Sequence, residues 1–301
     1  MPFAHPSLSR SAIIAQLRAA GCVFAEDEAE LLLAAPFSTS ELAAAVERRV
    51  GGFPLEHILG WAEFCGLRIA VEPGVFVPRR RTELIVREAA VLLGAPASGP
   101  DAYDSRPAVA APAGAGGTAL AARATAVMEP FATRPERIVV DLCCGSGAVA
   151  TALAAAVTGI ELHAADVDPT AVRCARGNVV PAGGDVHEGD LYAALPARLR
   201  GRVDILAVNA PYVPTASISS MPHEARDHEP RVSLDGGPDG LDVQRRVIAE
   251  APAWLQAGGH LLIETSRRQA HQTALAMTQG GLTPRIAYSE ELDATVVIGR
   301  R

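Results

Sequence analysis

An apolar run at 203–208 delivers Asn209-Ala210-Pro211-Tyr212 to its own carboxyl end, setting a side-chain amide and an aromatic ring at the tip of an expected buried strand. Pro211 has no N–H to give a β-ladder, so the strand must stop where Asn209 emerges. Open α/β sheets bind ligands beyond the carboxyl ends of their strands. Asn-x-Pro-Tyr therefore stands where such a sheet does its chemistry.

A second group of residues fits a ligand next to it. Asp141-Leu142-Cys143-Cys144-Gly145-Ser146-Gly147 follows one expected strand and opens a helix, and Gly145 and Gly147 would let a nucleotide-like molecule approach the backbone there. A tight turn without a ligand explains the same glycines, and a dinucleotide site would want a third glycine where Ala150 stands. Asp166 ends the next strand, where an acid accepts hydrogen bonds from ribose hydroxyls, whereas Asp168 before Pro169 reads as a helix N-cap. Asp190 stands where a carboxylate could hold an adenine amino group. Each acid alone has a structural explanation; together with Asn-x-Pro-Tyr they point to an adenosyl ligand.

These residues need a sheet to position them. Strand patterns at 138–142, 161–165, 203–208 and 259–264 alternate with helical patterns at 148–157 and after Pro169, and 283–289 with 294–299 reads as a closing antiparallel pair. That rhythm predicts an α/β fold with a doubly wound, mostly parallel sheet. Ahead of it, 7–51 is helical, with Ile13, Ile14 and Leu17 on one face and Ser38 and Glu41 as a capping box. The spacing predicts a helical domain over 1–66, a β-hairpin linker over 67–81 turning at Pro73-Gly74, and the main domain over 82–301. Thr82 is placed to cap a helix through Leu84, Ile85 and Val91; Arg79, Arg80 and Arg81 before it form either a solvated turn or a holder for a carboxylate or RNA phosphate. Residues 95–117, rich in Ala, Pro and Gly, predict a flexible insertion, and 118–128 a short helix.

Composition narrows the classes. A chain of 301 residues with 49% hydrophobic and 20% charged residues can bury a sizeable core. Its net charge of −7 argues against a nucleic-acid substrate. All 27 basic residues are arginine, which reads as genome-composition bias. Cys22, Cys65, Cys143, Cys144 and Cys174 form no CxxC pair, so reduced thiols and no metal site are expected. With neither a signal-peptide pattern nor a bilayer-length apolar run, a cytoplasmic location is expected.

Across nearly its whole length the chain resembles the protein-(glutamine-N5) methyltransferases, S-adenosylmethionine-dependent enzymes that modify a glutamine of peptide-chain release factors or of a ribosomal protein. The resemblance rests on Pro54-Leu55-Glu56-His57-Ile58-Leu59-Gly60 with Glu63-Phe64, Val77-Pro78-Arg79 with Thr82-Glu83, the Asp141 glycine turn, Asp166, Asn209-Ala210-Pro211-Tyr212, Glu229-Pro230 with Gly236 to Leu241, and the closing Val297-Ile298-Gly299-Arg300. It implies a seven-stranded Rossmann-like class I methyltransferase domain and a protein substrate gripped by the helical domain of a monomer. The implied cofactor set is Asp141, Gly145, Gly147, Asp166, Asp190, Asn209, Thr82 and Glu83, and the implied catalytic set is Asn209, Ala210, Pro211 and Tyr212. An amide nitrogen is a poor nucleophile, so the implied catalysis is positioning: Asn209 Oδ1 and the Ala210 carbonyl accept its two hydrogens while Tyr212 walls its plane.

Three positions depart from the family pattern: Ala210 replaces a proline, Cys143 replaces the first glycine of the turn, and Arg80-Arg81 replace Pro-Asp. Two other functions use the same residues. Methylation of an exocyclic amine on adenine or guanine would need the same two acceptors and stacking ring. A module that keeps the cofactor but has lost turnover would bind it yet methylate no Gly-Gly-Gln peptide.

Overall fold

The computed structural model describes residues 9–95 and 137–301. The expected insertion at 95–117, apart from Ala95, and the helix expected at 118–128 lie outside those residues.

The chain begins with α1 (Arg10–Ala19), α2 (Ala25–Ala34), α3 (Thr39–Val50) and α4 (Leu55–Leu59). Ile13 and Leu17, four apart on one face of α1, meet Ala29, Leu32 and Val46 in a closed core. The capping box forms as expected: Ser38 Oγ accepts from Glu41 N, and Glu41 Oε2 accepts from Ser38 N at 2.7 Å. This bundle is tied to the rest by Arg49, buried in α3, which donates to Glu28 at 2.6 Å and to Glu224 at 3.5 Å. His57 Nε2 adds a bond to the Val75 carbonyl at 2.9 Å.

The hairpin differs from its expected form. β1 (Trp61–Phe64) pairs with β2 (Leu67–Ala70), so the strand at 67–70 turns back on residues before it and not on 75–77. The turn is Cys65-Gly66, with φ of 50° and 70°. Two successive left-handed residues match the twist of a two-residue hairpin, and cysteine is an inconspicuous choice for the first of them. Val75 and Val77 instead pack as a strap on Ala62, Val71, Ala171 and Cys174.

The remaining elements are α5 (Glu83–Leu92), β3 (Arg137–Leu142), α6 (Ala148–Ala156), β4 (Ile160–Asp166), α7 (Pro169–Val179), β5 (Asp185–Glu188), β6 (Val203–Val208), α8 (His223–His228), α9 (Asp242–Trp254), β7 (Leu255–Glu264), α10 (Ala270–Gln279), β8 (Thr283–Ser289) and β9 (Ala294–Arg300). Seven strands form one sheet in the order β5-β4-β3-β6-β7-β9-β8. The first five run parallel, while β9 is antiparallel to both β7 and β8. From β3 the chain winds outward to β5, then crosses back to β6, so the order reverses between β3 and β6.

Both faces are buried, as a parallel sheet requires. Val139, Ile205 and Ala207 face the core built with α5 and α6; Val140, Leu206 and Val208 face the core built with α9 and α10. Tyr192, 2% exposed, stacks on Trp254 at 5.5 Å and donates to the Val247 carbonyl at 2.8 Å, tying the loop after β5 to α9. Tyr192→Phe is expected to lower unfolding free energy by about 1–2 kcal/mol, because it removes a buried hydrogen bond with little change in volume. Urea denaturation monitored by Trp fluorescence measures this.

Candidate active site

A cavity of about 880 Å³ opens at the carboxyl ends of β3, β4 and β6, where the strand order reverses. One wall is the glycine turn. Cys143 adopts φ +57°, taking the left-handed conformation although it carries a side chain. Gly145 N donates to Asp166 Oδ2 and Asp168 N to Asp166 Oδ1, both at 2.9 Å, so Asp166 clamps the turn to the end of β4. Asp168 is the N-cap expected of it, accepting from Thr170 N at 2.8 Å.

Asp141 is 2% exposed and accepts from Ala150 N at 3.1 Å in the first turn of α6. Burial pushes its carboxyl up to about 7, the Ala150 N–H opposes that rise, and the charge of Asp166 adds to it. Asp166 is raised as well, chiefly by burial. Asp190 lies at the rim, 2.6 Å from Arg246 with both side chains about half exposed, a pair weak enough to open for a ligand.

Two expected cofactor residues do not line the cavity. Gly147 sits where α6 crosses α7: a Cβ there would stand 2.5 Å from Val179 Cγ2, so the glycine serves helix packing. Glu83 turns away from Thr82 by one helical step and accepts from Cys65 N at 3.2 Å, holding the hairpin turn against α5. Thr82 does line the cavity, but its hydroxyl does not cap α5. It accepts instead from Asn209 Nδ2 at 3.2 Å.

Asn209, Ala210, Pro211 and Tyr212 form the facing wall. With Nδ2 committed to Thr82, among the described residues neither Asn209 Oδ1 nor the Ala210 carbonyl accepts a hydrogen bond. Tyr212 donates its hydroxyl to Glu264 at 3.3 Å, while burial, and then the Glu264 charge, keep that hydroxyl protonated. Gln269 Nε2 holds the Tyr212 carbonyl at 3.0 Å from the other side. Gly240 approaches so closely that a Cβ would lie 2.2 Å from the Tyr212 carbonyl, which gives the glycines of 236–241 a steric reason.

Glu264 and Gln269 escaped the sequence reading. An acid ending the apolar run Leu261-Leu262-Ile263 at the sheet's active edge was a usable signal for the first; Gln269 carries none in its neighbourhood. The three arginines also resolve, each on its own acid: Arg79 on Glu229, Arg80 on Glu291 at 3.3 Å, and Arg81 on Glu264 at 3.8 Å. Among the described residues, no group of three or more His, Cys, Asp or Glu side chains is arranged to hold a metal ion, and no helix is long and apolar enough to cross a membrane.

Seven strands with a reversed last pair, a glycine turn after β3 and acids at successive strand ends define an S-adenosylmethionine-dependent methyltransferase. The methyltransferase small domain matches residues 119–224. A release factor glutamine methyltransferase of Geobacter sulfurreducens is 35% identical over 247 residues, covering 80% of this chain and 72% of the relative. One from Bradyrhizobium diazoefficiens is 30% identical over 301 residues, 93% of this chain and 90% of its own. A 4-amino-L-phenylalanine/4-methylamino-L-phenylalanine methyltransferase of Streptomyces pristinaespiralis is 32% identical over 248 residues, covering 82% and 73%. The chain belongs to the release factor glutamine methyltransferase family.

Asp141 makes stability pH-dependent. Its folded value of about 7 lies above the ordinary 3.8, so between those values the native state holds a proton that the unfolded chain releases. Protonation favours the fold, and this contribution is lost as pH rises through that window. Relative to Asp141→Asn, the wild type is expected to lose roughly 4 kcal/mol between pH 4 and pH 8. Paired urea titrations across that range measure the difference.

Proposed function

We propose that this protein transfers a methyl group from S-adenosylmethionine to the side-chain amide nitrogen of a glutamine in a translation protein, with a release factor as the substrate. The observation that carries this reading is the committed orientation of Asn209, which gives Nδ2 to Thr82, with Asn209 and Ala210 both lining the cavity and, among the described residues, no donor on Asn209 Oδ1 or on the Ala210 carbonyl.

The residues fit the cofactor by their chemistry. Asp141, Asp166 and Asp190 give the glycine-turn wall acceptors only, which suits ribose hydroxyls, an adenine amino group and the positive charge of a sulfonium. When bound, the cofactor supplies a methyl group already activated by that charge. Asp166 would take the ribose hydroxyls and Asp190 the adenine amino group, and buried Asp141 would hold the cofactor from the end of β3.

Asn209 Oδ1 and the Ala210 carbonyl accept the two N–H hydrogens of the glutamine, fixing the plane of its amide and raising electron density on nitrogen. Tyr212, anchored through its hydroxyl and its carbonyl, closes one face of that plane. Neither acceptor is a strong base, and none is needed: the nitrogen becomes acidic only once it carries the methyl group, and its proton then leaves to water. Among the described residues nothing donates to the Ala210 carbonyl, so an alanine at 210 still offers a free acceptor. The helices α1 to α4 grip the substrate protein, with Arg49 of α3 bonded to the cavity-lining Glu224. A release factor as substrate implies a cytoplasmic enzyme, and the working unit in this reading is a monomer.

A second reading follows from the Streptomyces pristinaespiralis relative, named for an arylamine substrate. The same two acceptors would hold an aromatic NH2 group. Incubation with methyl-labelled S-adenosylmethionine and, in parallel, a release factor, 4-aminophenylalanine or ribosomal RNA separates the readings. Label on a release-factor glutamine is the expected outcome; label on the arylamine or RNA alone would replace it. Asn209→Ala is expected to lower kcat/KM on the order of 100-fold while S-adenosylhomocysteine still binds, as calorimetry can measure.

A further inference from the structure

Three arginines line the cavity, and two of them are engaged. Arg246 donates to Asp190 at 2.6 Å. Arg79 donates to the fully buried carboxylate of Glu229 and lies over the Phe76 ring at 5.3 Å. Arg81 differs: among the described residues it donates no side-chain hydrogen bond, and its side chain is 47% exposed. The nearest acid, Glu264, stands 3.8 Å from Arg81 Nε, beyond hydrogen-bonding distance, and accepts from the Tyr212 hydroxyl instead. A guanidinium carries five N–H donors, so with Nε turned to Glu264 the two terminal NH2 groups remain as a fork. The family pattern has aspartate at this place, so the cation is a departure of this chain.

We propose that Arg81 binds the α-carboxylate at the amino-acid end of the cofactor. The inference rests on the cofactor placement given above and not on glutamine as the acceptor. Asp166, Asp190 and Asp141 meet the ribose, the adenine and the cationic part, and acids do not suit an anion. Position selects Arg81 among the arginines. Whichever NH2 group is methylated, the methyl must face the nitrogen held at Asn209, and only a short aliphatic chain separates the carboxylate of this cofactor from its sulfur. The carboxylate therefore falls near Asn209. Arg81 immediately precedes Thr82, whose hydroxyl accepts from Asn209 at 3.2 Å, whereas Arg246 is tied to the adenine end through Asp190. Paired guanidinium and carboxylate fix direction as well as position. The sulfur is then anchored from both sides, by the adenosine on one and the carboxylate on the other, which holds the methyl in line with the nitrogen.

Calorimetry with S-adenosylhomocysteine and with its analogue lacking only the carboxylate tests this without turnover. Arg81→Met keeps the length of the side chain, and Arg81→Lys keeps the charge but not the fork. Arg81→Met is expected to bind S-adenosylhomocysteine about 10-fold more weakly than the wild type, the size of a charge-assisted pair left half in water. Arg81→Lys should fall between the two, and all three proteins should bind the decarboxylated ligand equally. Any disturbance passed to Glu264 weakens both ligands alike, so the comparison isolates the carboxylate.

Equal losses for the two ligands overturn the proposal, and so does an Arg81→Met protein that binds S-adenosylhomocysteine as the wild type does. In the second case a raised KM for the acceptor would give the arginine to an acceptor carboxylate instead. A wild type that binds neither ligand removes the cofactor placement and this proposal with it. Should Arg81→Met fail to fold, Arg81→Lys, which keeps a cation beside Glu264, decides against the same two ligands.

Discussion

The hydrogen bond from Asn209 Nδ2 to Thr82 Oγ1 joins residues 127 positions apart and decides what the active edge of this sheet presents. An asparagine amide can stand either way round, and only one orientation offers an acceptor to a planar NH2 group. The fold supplies the partner from a distance: α5 starts beside the carboxyl end of β6, and the short turn of Arg80–Thr82 brings the hydroxyl to the strand tip. Everything else around the tetrapeptide holds that arrangement, with Glu264 and Gln269 fixing Tyr212, and Gly240 closing on its carbonyl.

Charge is distributed with the same economy. The wall opposite Asn209 carries acids without arginine partners close by, apart from Asp190 with Arg246 at the rim. Three consecutive arginines beside the cavity are each matched to a different acid. They therefore do not form a phosphate clamp, and the net charge of −7 agrees with that. What the cavity favours is a cationic cofactor with many hydroxyl and amino donors.

Much of this was legible because it is encoded locally. A proline after Asn209 ends a strand, glycines after Asp141 make a turn, Asp168 before Pro169 caps a helix and Ser38 with Glu41 forms a capping box; each needs only its neighbours. Periodicity likewise gave the layered sheet and its closing antiparallel pair, though not the order that sets β9 between β7 and β8. What could not be read depends on contacts between distant segments. The hairpin partner of Leu67–Ala70 depends on Cys65 taking a conformation that cysteine seldom takes. Gly147 and Glu83 carry family-motif identities, yet tertiary neighbours Val179 and Cys65 explain them. Glu264 and Gln269 acquire meaning only when β7 and α10 are laid beside β6.

The central claim is that Asn209 Oδ1 and the Ala210 carbonyl together hold the reacting amide. A crystal structure with S-adenosylhomocysteine and a glutamine peptide from a release factor tests it directly. The glutamine Nε2 should lie about 3 Å from both oxygens, with the Tyr212 ring against the amide plane. A glutamine bound with its carbonyl toward Asn209, or an Ala210 carbonyl turned out of reach, would contradict the account.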